Sequence, residues 1–240
     1  MRRIFADYHR EIDPSILISS NRADQRIALE NLARLKGARF ATSNEISDRA
    51  SYNDMMVKQL ASRDEISAKR IYKSVTSFTP SHKLWIRSNH KPAFNVNDGG
   101  LLRRICPIPF NVTIPESDRV ERYEERLLEE KNAILAWIVE GWIAYREHGM
   151  NKPDRVKTAL NEYVRECDTL TQFIEENYMV DIAASTPLKS FTTAYNEWLH
   201  TNGYGETNSR RVMDELRKQS YKVPIGAGNK RIIAHLKKIE

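Results

Sequence analysis

Polar residues that could act on a phosphate ester stand at the ends of two stretches that are typical of buried strands. "ARFATSNE" ends at Glu45, and "KLWIRSNHKP" places Asn89 at its tip, while an arginine pair, Arg103 and Arg104, follows after a loop. A carboxylate can hold Mg²⁺ and orient a water, an amide can contact a γ-phosphate, and an arginine can neutralise transition-state charge. Phosphates bind at the carboxyl edge of a parallel sheet, so strand ends are where such residues would be needed.

Each of these residues also has an ordinary structural explanation. Asn89 could cap the turn before Pro92, and Glu45 could be a helix cap or a surface acid. Arg103 and Arg104 could be a solvated pair, as surface arginines usually are. Taken singly, the residues favour the structural explanation.

Composition narrows the class of protein that must position these residues. The chain has 240 residues, 40% hydrophobic and 29% charged, which is a globular composition. It has no apolar run long enough for a membrane span and no secretory signal. Its two cysteines, Cys106 and Cys167, exclude a disulfide framework and favour a cytoplasmic location. The net charge of +6 modestly favours binding to polyanions such as nucleic acid.

The first half of the chain predicts an α/β core. Residues 21–36 have the apolar spacing of an amphipathic helix, and residues 83–88 form a strand. Residues 64–78 predict a hairpin that carries Lys69, Arg70 and Lys73. An edge-like strand limited by prolines is expected over about 105–114.

The second half is predicted to be mainly helical. A helix with an apolar stripe runs from about 116 to Gly149, which is a plausible cap, and its tryptophans, Trp137 and Trp142, are expected to pack in a core. Two helices and a glycine-rich hairpin, "PIGAGNKR", then indicate a winged-helix module in the last 60 residues. Its basic residues could contact DNA phosphates, or the module could dock on protein; they include Arg210, Arg211, Arg217, Lys218, Lys222, Lys230 and Arg231.

Four phrases, in this order and spacing, resemble the helicase domain of the phage and plasmid primase–helicase family, within superfamily 3. They are "LARLKGARFATSNE", "VKQL" followed by "DEISAKRIYK", "FTPSHKLWIRSNHKP" and "RRICPIPF". The resemblance implies an α/β fold: part of a P-loop, AAA+-like core, then a helical lid and a C-terminal winged-helix-like domain. The expected boundaries are 1–150 for the core, 151–184 for a helical connector and 185–240 for the DNA-binding domain.

The resemblance also implies roles for individual residues. Glu45 is similar to the acid that holds Mg²⁺, and Asn89 to the residue that senses the γ-phosphate of ATP. Arg104 is similar to an arginine finger that acts on a neighbouring subunit, with Arg103 as second choice. Lys69, Arg70 and Lys73 lie where the family has a hairpin that contacts single-stranded DNA inside a hexameric ring. The implied cofactors are ATP and Mg²⁺, and the implied partners are further copies of the chain and a primase domain or chain.

Two departures from the family pattern stand out. Arg63 replaces a glycine in "KQLASRD", which puts the turn geometry there in question. The phosphate loop G-x-x-x-x-G-K-[ST] is absent, and "GAGNKR" at 226–231 lacks both its final hydroxyl residue and its strand-to-helix setting. The chain is therefore expected to begin downstream of that loop and to hydrolyse ATP poorly or not at all alone.

Three hypotheses follow. The first is the C-terminal part of a replicative helicase of a phage or mobile element in a bacterial host, which couples ATP hydrolysis to movement on single-stranded DNA. The second is a non-catalytic, truncated module that binds DNA or assembles with full-length subunits. The third is a winged-helix transcription regulator, which does not account for the four ordered motifs.

Overall fold

The computed structural model describes residues 2–18, 32–44, 50–69 and 75–239. Glu45, Arg70, Lys73 and most of the predicted helix at 21–36 lie outside these ranges. The chain divides into two compact units. The sheet unit comprises Met1–Phe94 and Arg103–Asn161, and the C-terminal unit comprises Asn95–Leu102 and Glu162–Glu240.

The sheet unit mixes helices with parallel and antiparallel strands, which confirms the predicted α/β class. Its elements in chain order are α1 (Arg2–Phe5), β1 (His9–Glu11), β2 (Phe40–Asn44), α2 (Asp54–Leu60), β3 (Ile66–Lys69), β4 (Val75–Phe78) and β5 (Lys83–Arg87). After the short helix α3 (Gly99–Leu102), which belongs to the C-terminal unit, come α4 (Tyr123–Glu129), α5 (Lys131–His148) and α6 (Asp154–Cys167), whose last six residues belong to the C-terminal unit.

A parallel sheet in the order β1-β2-β5 forms the centre of this unit. β2 is buried because its side chains at Phe40, Ala41 and Ser43 face the interior of the unit. Parallel strands need long crossover connections, and here 28 residues separate Glu11 from Phe40. Since all three strands run the same way, their carboxyl ends meet at one edge, which we call the carboxyl edge.

The short helix α2 shows how local sequence sets an element. Asn53 caps it, accepting a hydrogen bond from the Met56 backbone N–H at 3.2 Å, and Asp54 places negative charge in the first turn. After α2, the turn that contains Arg63 forms without a left-handed backbone at that residue. Arg63 therefore needs no positive φ in this turn, so a glycine is not required there.

The predicted hairpin and the strand after it are confirmed. β3 and β4 pair antiparallel from Ile66 opposite Phe78 to Lys69 opposite Val75. The prediction of an edge strand over about 105–114 is wrong, because these residues form no regular element. Pro107 and Pro109 have no N–H to donate to a ladder, which is consistent with this irregular backbone.

The long helix was predicted correctly at its end but not at its start, which lies at Tyr123 and not near residue 116, and not in burial. It is split into α4 and α5, and it ends where Gly149, at φ +71°, donates its N–H to the Tyr145 carbonyl at 2.8 Å. The expectation that Trp137 and Trp142 pack in a core is wrong, because their side chains are 72% and 55% exposed. Apolar residues occur all round α5, so no single face can hide them. Trp142 is covered only in part, by the Arg146 guanidinium 5.2 Å from its ring centroid.

The C-terminal unit is built as helix, strand, helix, helix and hairpin. Its main elements are α7 (Thr169–Asn177), β6 (Tyr178–Pro187), α8 (Leu188–Thr201), α9 (Ser209–Lys218) and β7 (Ile232–Lys238). β6 pairs antiparallel with β7, and Lys222 and Pro224 accept backbone hydrogen bonds from Ala234 and Ile232, which closes a hairpin against β7.

One closed core holds this unit together. Phe173 lies at its centre, 2% exposed, with ring contacts to Tyr178, Phe191 and Tyr195. The other buried members are Leu170, Ile174, Leu188, Leu199, Val212, Leu216, Val223, Ile233 and Leu236. Every main element of the unit contributes to this core, so its helices and hairpin form one packed body.

Across the described ranges, no helix is both long enough and apolar enough to span a bilayer.

Candidate functional site

The carboxyl edge of the sheet brings together the polar ends of three strands. β1 ends at Glu11, β2 at Asn44 and β5 at Arg87, and Asn44 lies directly opposite Arg87 in the register. Backbone hydrogen bonding continues one residue past β1, where Ile12 donates to the Thr42 carbonyl at 2.9 Å. A carboxylate, an amide and a guanidinium are therefore presented side by side on rigid strands.

Glu11 is the residue that the sequence-based reasoning missed. Its Oε1 accepts a hydrogen bond from Asn44 Nδ2 at 2.7 Å, which holds the carboxylate against the end of β2. The amide oxygen of Asn44 remains the acceptor end of that side chain. β1 has three residues, too few for a periodicity signal, so its pairing with β2 was not visible in the sequence.

Behind this edge, a buried polar pair joins β1 to β2. His9, 8% exposed, lies 2.8 Å through Nε2 from Thr42 Oγ1. Burial lowers the pKa of His9, and the nearby Glu11 carboxylate opposes that shift. The lowered pKa favours the neutral imidazole, so His9 adds no positive charge beside the Glu11 carboxylate.

Asn89 lies two residues beyond β5, in an exposed turn. The hydrogen bond in this turn is made by Ser88, whose Oγ accepts from the His90 backbone N–H at 3.1 Å. The side chain of Asn89 is thus not the acceptor that forms this turn. Its role as a phosphate sensor stays a prediction, and its position just past the carboxyl edge is compatible with it.

The arginine pair lies on a different element. Arg103 and Arg104 follow α3 directly, in an exposed turn rather than on a strand of the sheet. An exposed arginine beyond the strands could act on a neighbouring copy, and its role as a finger stays a prediction.

The remaining predicted residues of this unit are only partly described. Glu45 would follow Asn44 directly, but it lies outside the described residues, as do Arg70 and Lys73. Lys69 is the last residue of β3 and pairs with Val75, so the backbone places the start of the basic segment at the end of the hairpin where β3 connects to β4.

In the C-terminal unit, α9 separates an apolar side from a basic one. Val212 and Leu216 are completely buried in the core, and Asn208 caps the helix by accepting from the Arg211 backbone N–H at 3.0 Å. The exposed cations of the helix are Arg210, Arg211, Arg217 and Lys218. Arg211 is engaged with Glu215 at 3.2 Å, so its charge is partly compensated.

The glycine-rich segment at 226–231 is a hairpin turn and not a phosphate loop. Gly226 donates its N–H to the Lys230 carbonyl at 2.7 Å, and Ile225 bridges Arg231 in antiparallel fashion. Gly228 and Asn229 both have positive φ, which these residue types tolerate in a tight turn. Lys230 therefore lies at the end of a β-turn, where its exposed side chain extends the basic surface.

Two chemistries fit these sites. Carboxylate and amide oxygens at the carboxyl edge are hard ligands of the kind that Mg²⁺ takes together with phosphates. Within the described residues no cluster of three or more histidine, cysteine or acidic side chains could hold a metal by itself. The basic side of α9 and its hairpin suits a phosphate backbone instead.

Comparison with known proteins gives one helicase relative. The chain is 24% identical over 226 residues to "Putative helicase L207/L206" of Acanthamoeba polyphaga mimivirus, across 86% of the chain. The chain spans only 23% of that relative's length. No protein-family model matches the chain. The chain is thus similar to part of a helicase-related protein.

One solved structure overlaps most of the chain, the apo A form of the NrS-1 C-terminal region. It covers 98% of this chain and 62% of its own, with 12% sequence identity and a TM-score of 0.31. An overlap at that TM-score carries no argument about fold or function.

Proposed function

We propose that this chain is part of a replicative DNA helicase that uses ATP and Mg²⁺, and that it supplies one edge of the nucleotide site. The observation that carries the proposal is the carboxyl edge, where Glu11, Asn44 and Arg87 end three parallel strands and Asn89 follows. The similarity to a viral protein named as a helicase supports the same function.

The residues of the edge fit a nucleotide-bound Mg²⁺. In this proposal Glu45, the residue after β2 in the sequence, and Glu11, which is bonded to Asn44, provide the carboxylates that hold the ion or orient water. Asn89 contacts the γ-phosphate. Mg²⁺ bound to ATP supplies neutralisation of the phosphate charge during phosphoryl transfer. The sheet's contribution is to fix Glu11 and Asn44 before the nucleotide arrives.

The chain needs a phosphate loop from elsewhere. Within the described residues β5 is an outer strand of the sheet, and Trp85 on it is 49% exposed. A further parallel strand could pair with β5 and deliver such a loop to the carboxyl edge. A ring of subunits, hexameric by resemblance, would then let Arg104, or Arg103, reach a neighbour's nucleotide.

DNA is the proposed second substrate. The hairpin β3–β4 and its segment Lys69, Arg70 and Lys73 would contact single-stranded DNA in the ring. The helix–strand–helix–helix–hairpin order of the C-terminal unit supports a winged helix, and Arg210, Arg211 and Lys230 would add phosphate contacts there. A primase domain or chain is a proposed partner of the same assembly.

The experiment is a single-stranded-DNA-stimulated ATPase assay on two proteins. One is the chain as given, and the other is the chain fused to an upstream segment that carries a phosphate loop. We expect activity only in the fusion. Asn89→Ala and Arg104→Ala should each lower kcat at least about a hundredfold, the lower range for losing charge stabilisation. The matched controls are Asn151→Ala and Arg119→Ala, which each remove an exposed residue of the same type. Each control should leave kcat unchanged.

Strong turnover by the unfused chain would show that the predicted dependence on a phosphate loop is wrong. No turnover in either protein would favour the alternative, a non-catalytic module that binds DNA or assembles with full-length subunits. The missing phosphate loop is the observation that favours this alternative.

A further inference from the structure

Charge in the C-terminal unit is strongly segregated along the chain. Residues 162–207 contain two cations, Arg165 and Lys189, and eight acids. Residues 208–239 contain only two acids, Asp214 and Glu215, against nine cations. These nine are Arg210, Arg211, Arg217, Lys218, Lys222, Lys230, Arg231, Lys237 and Lys238. The positive charge is thus concentrated on α9 and the hairpin that follows it, which we call the basic surface.

The shape of the basic surface suits the groove of a duplex. α9 has ten residues, about 15 Å in length, and its buried side is fixed by Val212 and Leu216. Arg210, Asp214 and Arg217 recur along its exposed side at helical spacing. The major groove of B-DNA, about 12 Å wide, admits a helix of this kind. The hairpin turn then carries Lys230 as a second point for backbone contact.

The basic surface has no aromatic platform for unstacked bases. Most aromatic rings of the unit are committed to the core, including Phe173, Phe191 and Tyr195. Trp198 donates through Nε1 to Glu176 at 2.7 Å and stacks with Tyr204, both within the acidic half of the unit. Tyr221, three residues after the end of α9, is half-buried against the core. Proteins that hold single strands rely on such stacking, whereas duplex binding needs mainly phosphate contacts.

We propose that the basic surface of the C-terminal unit binds double-stranded DNA, through phosphate contacts from α9 and the hairpin. This inference rests on the proposed function for the presence of DNA, and it assigns a different form of DNA from the single strand proposed for the hairpin β3–β4. The chain would therefore hold a duplex and a single strand at two separate surfaces.

The test measures fluorescence anisotropy of the full chain with two labelled probes of equal length, a mixed-sequence duplex and oligo-dT. Two double variants probe the surface: Arg210→Ala with Arg217→Ala on α9, and Lys222→Ala with Lys230→Ala on the hairpin. The matched control is Arg165→Ala with Lys189→Ala, which removes two exposed cations from the acidic half. Having two variant pairs keeps the test decisive if one pair fails to fold.

We expect each surface pair to raise the duplex Kd at least about tenfold at moderate salt. The slope of log K against log salt should fall by about 2, since two phosphate contacts are lost. Oligo-dT binding should change less than threefold, and the control pair should leave both Kd values unchanged. Equal losses for the two probes would overturn the duplex assignment. So would unchanged duplex binding in the surface variants, or an equal loss in the control pair.

This outcome is separable from that of the ATPase assay. A chain that shows no ATPase activity in the fusion, yet loses duplex binding in the surface variants, would refute the helicase proposal and keep the duplex site. ATPase activity in the fusion, together with unchanged duplex binding in the surface variants, would keep the helicase proposal and refute the duplex site.

Discussion

The C-terminal unit and the helical pair α4–α5 deal with apolar side chains in opposite ways. In the C-terminal unit, Phe173 and its neighbours are enclosed by helices and strands of the same unit. On α5, Trp137 and Trp142 are exposed to solvent, although much of the helix is apolar. The C-terminal unit buries its own apolar side chains, whereas α5 has apolar side chains that the described part of the chain leaves uncovered. Exposed apolar patches of this kind commonly mark interaction sites.

The largest effect is expected from removing the ring of Phe173, at the centre of the core of the C-terminal unit. Phe173→Ala should destabilise the C-terminal unit by about 3–5 kcal/mol, because the cavity it leaves is walled by other rings. Hydrogen-exchange mass spectrometry on the full chain would measure this as faster exchange in α7, α8 and α9. Peptides of the sheet unit serve as the internal control. Protection that stays unchanged in α7 to α9 would show that Phe173 is not central to the core.

A smaller effect should come from a polar link that closes the same unit. Asp168 caps α7 by accepting from the Thr171 backbone N–H at 3.1 Å, and it also accepts from Gln219 Nε2 at 3.2 Å. Asp168→Ala should therefore cost about 1–2 kcal/mol, more than an ordinary cap. Asn208→Ala removes a cap without a second partner and is the matched control. Equal losses in the two variants, measured by urea unfolding, would show that the Gln219 contact adds nothing.

The two units should also differ in their response to pH. Burial and the Lys83 cation lower the pKa of His82, which is 6% exposed in the sheet unit, while the Leu60 carbonyl opposes the shift. The unfolded chain then binds a proton that the folded unit does not. Stability is full above the unfolded pKa of about 6.5 and is lost as pH falls below it.

The urea concentration at the unfolding midpoint, measured by circular dichroism, should decrease as the pH is lowered from about 7.5 to about 5.5. In His82→Leu the fall should be shallower, with the residual slope due in part to His9, whose pKa burial also lowers. His200→Ala alters an exposed histidine of the C-terminal unit and should keep the original slope. A wild-type slope in the His82 variant would contradict the assignment.

The smallest expected effect belongs to the exposed helix. Trp137→Ala should change the unfolding free energy of the chain by less than about 0.5 kcal/mol, since a solvated side chain loses little on truncation. Sedimentation velocity on the same variant should show weaker self-association if copies of the chain cover α5, as the proposed ring would allow. A loss of several kcal/mol would mean instead that Trp137 is packed within the chain.

The elements predicted correctly are those whose formation depends on residues within the element itself. β2 and β5 are confirmed as strands, and the hairpin β3–β4 and the end of the long helix at Gly149 are also confirmed. These features depend on local alternation, on turn residues and on a glycine at positive φ. Local signals of this kind are fully contained in a few adjacent residues.

The missed and wrong predictions described next share a physical cause. Each concerns a residue whose surroundings are set by a partner that is distant in the sequence or on another molecule. Glu11 was missed because its strand is only three residues long and is recognisable only through its pairing with β2. The burial of Trp137 was predicted wrongly because apolar spacing shows that a helix needs a cover without showing which molecule provides it. The roles of Asn89 and Arg104 stay predictions for the same reason, since their proposed partners are a nucleotide and a neighbouring copy.

The separation of charge in the C-terminal unit bears on how fast that unit could find a polyanion. The acids of residues 162–207 nearly balance the cations of residues 208–239, so the attraction of this unit to a polyanion would come from its exposed cations on α9 and the hairpin and not from its net charge. In the field of a polyanion the unit would turn these cations inward before it touches. Association would then be accelerated at low ionic strength through orientation rather than through bulk attraction, and the acceleration would fade as the Debye length shortens.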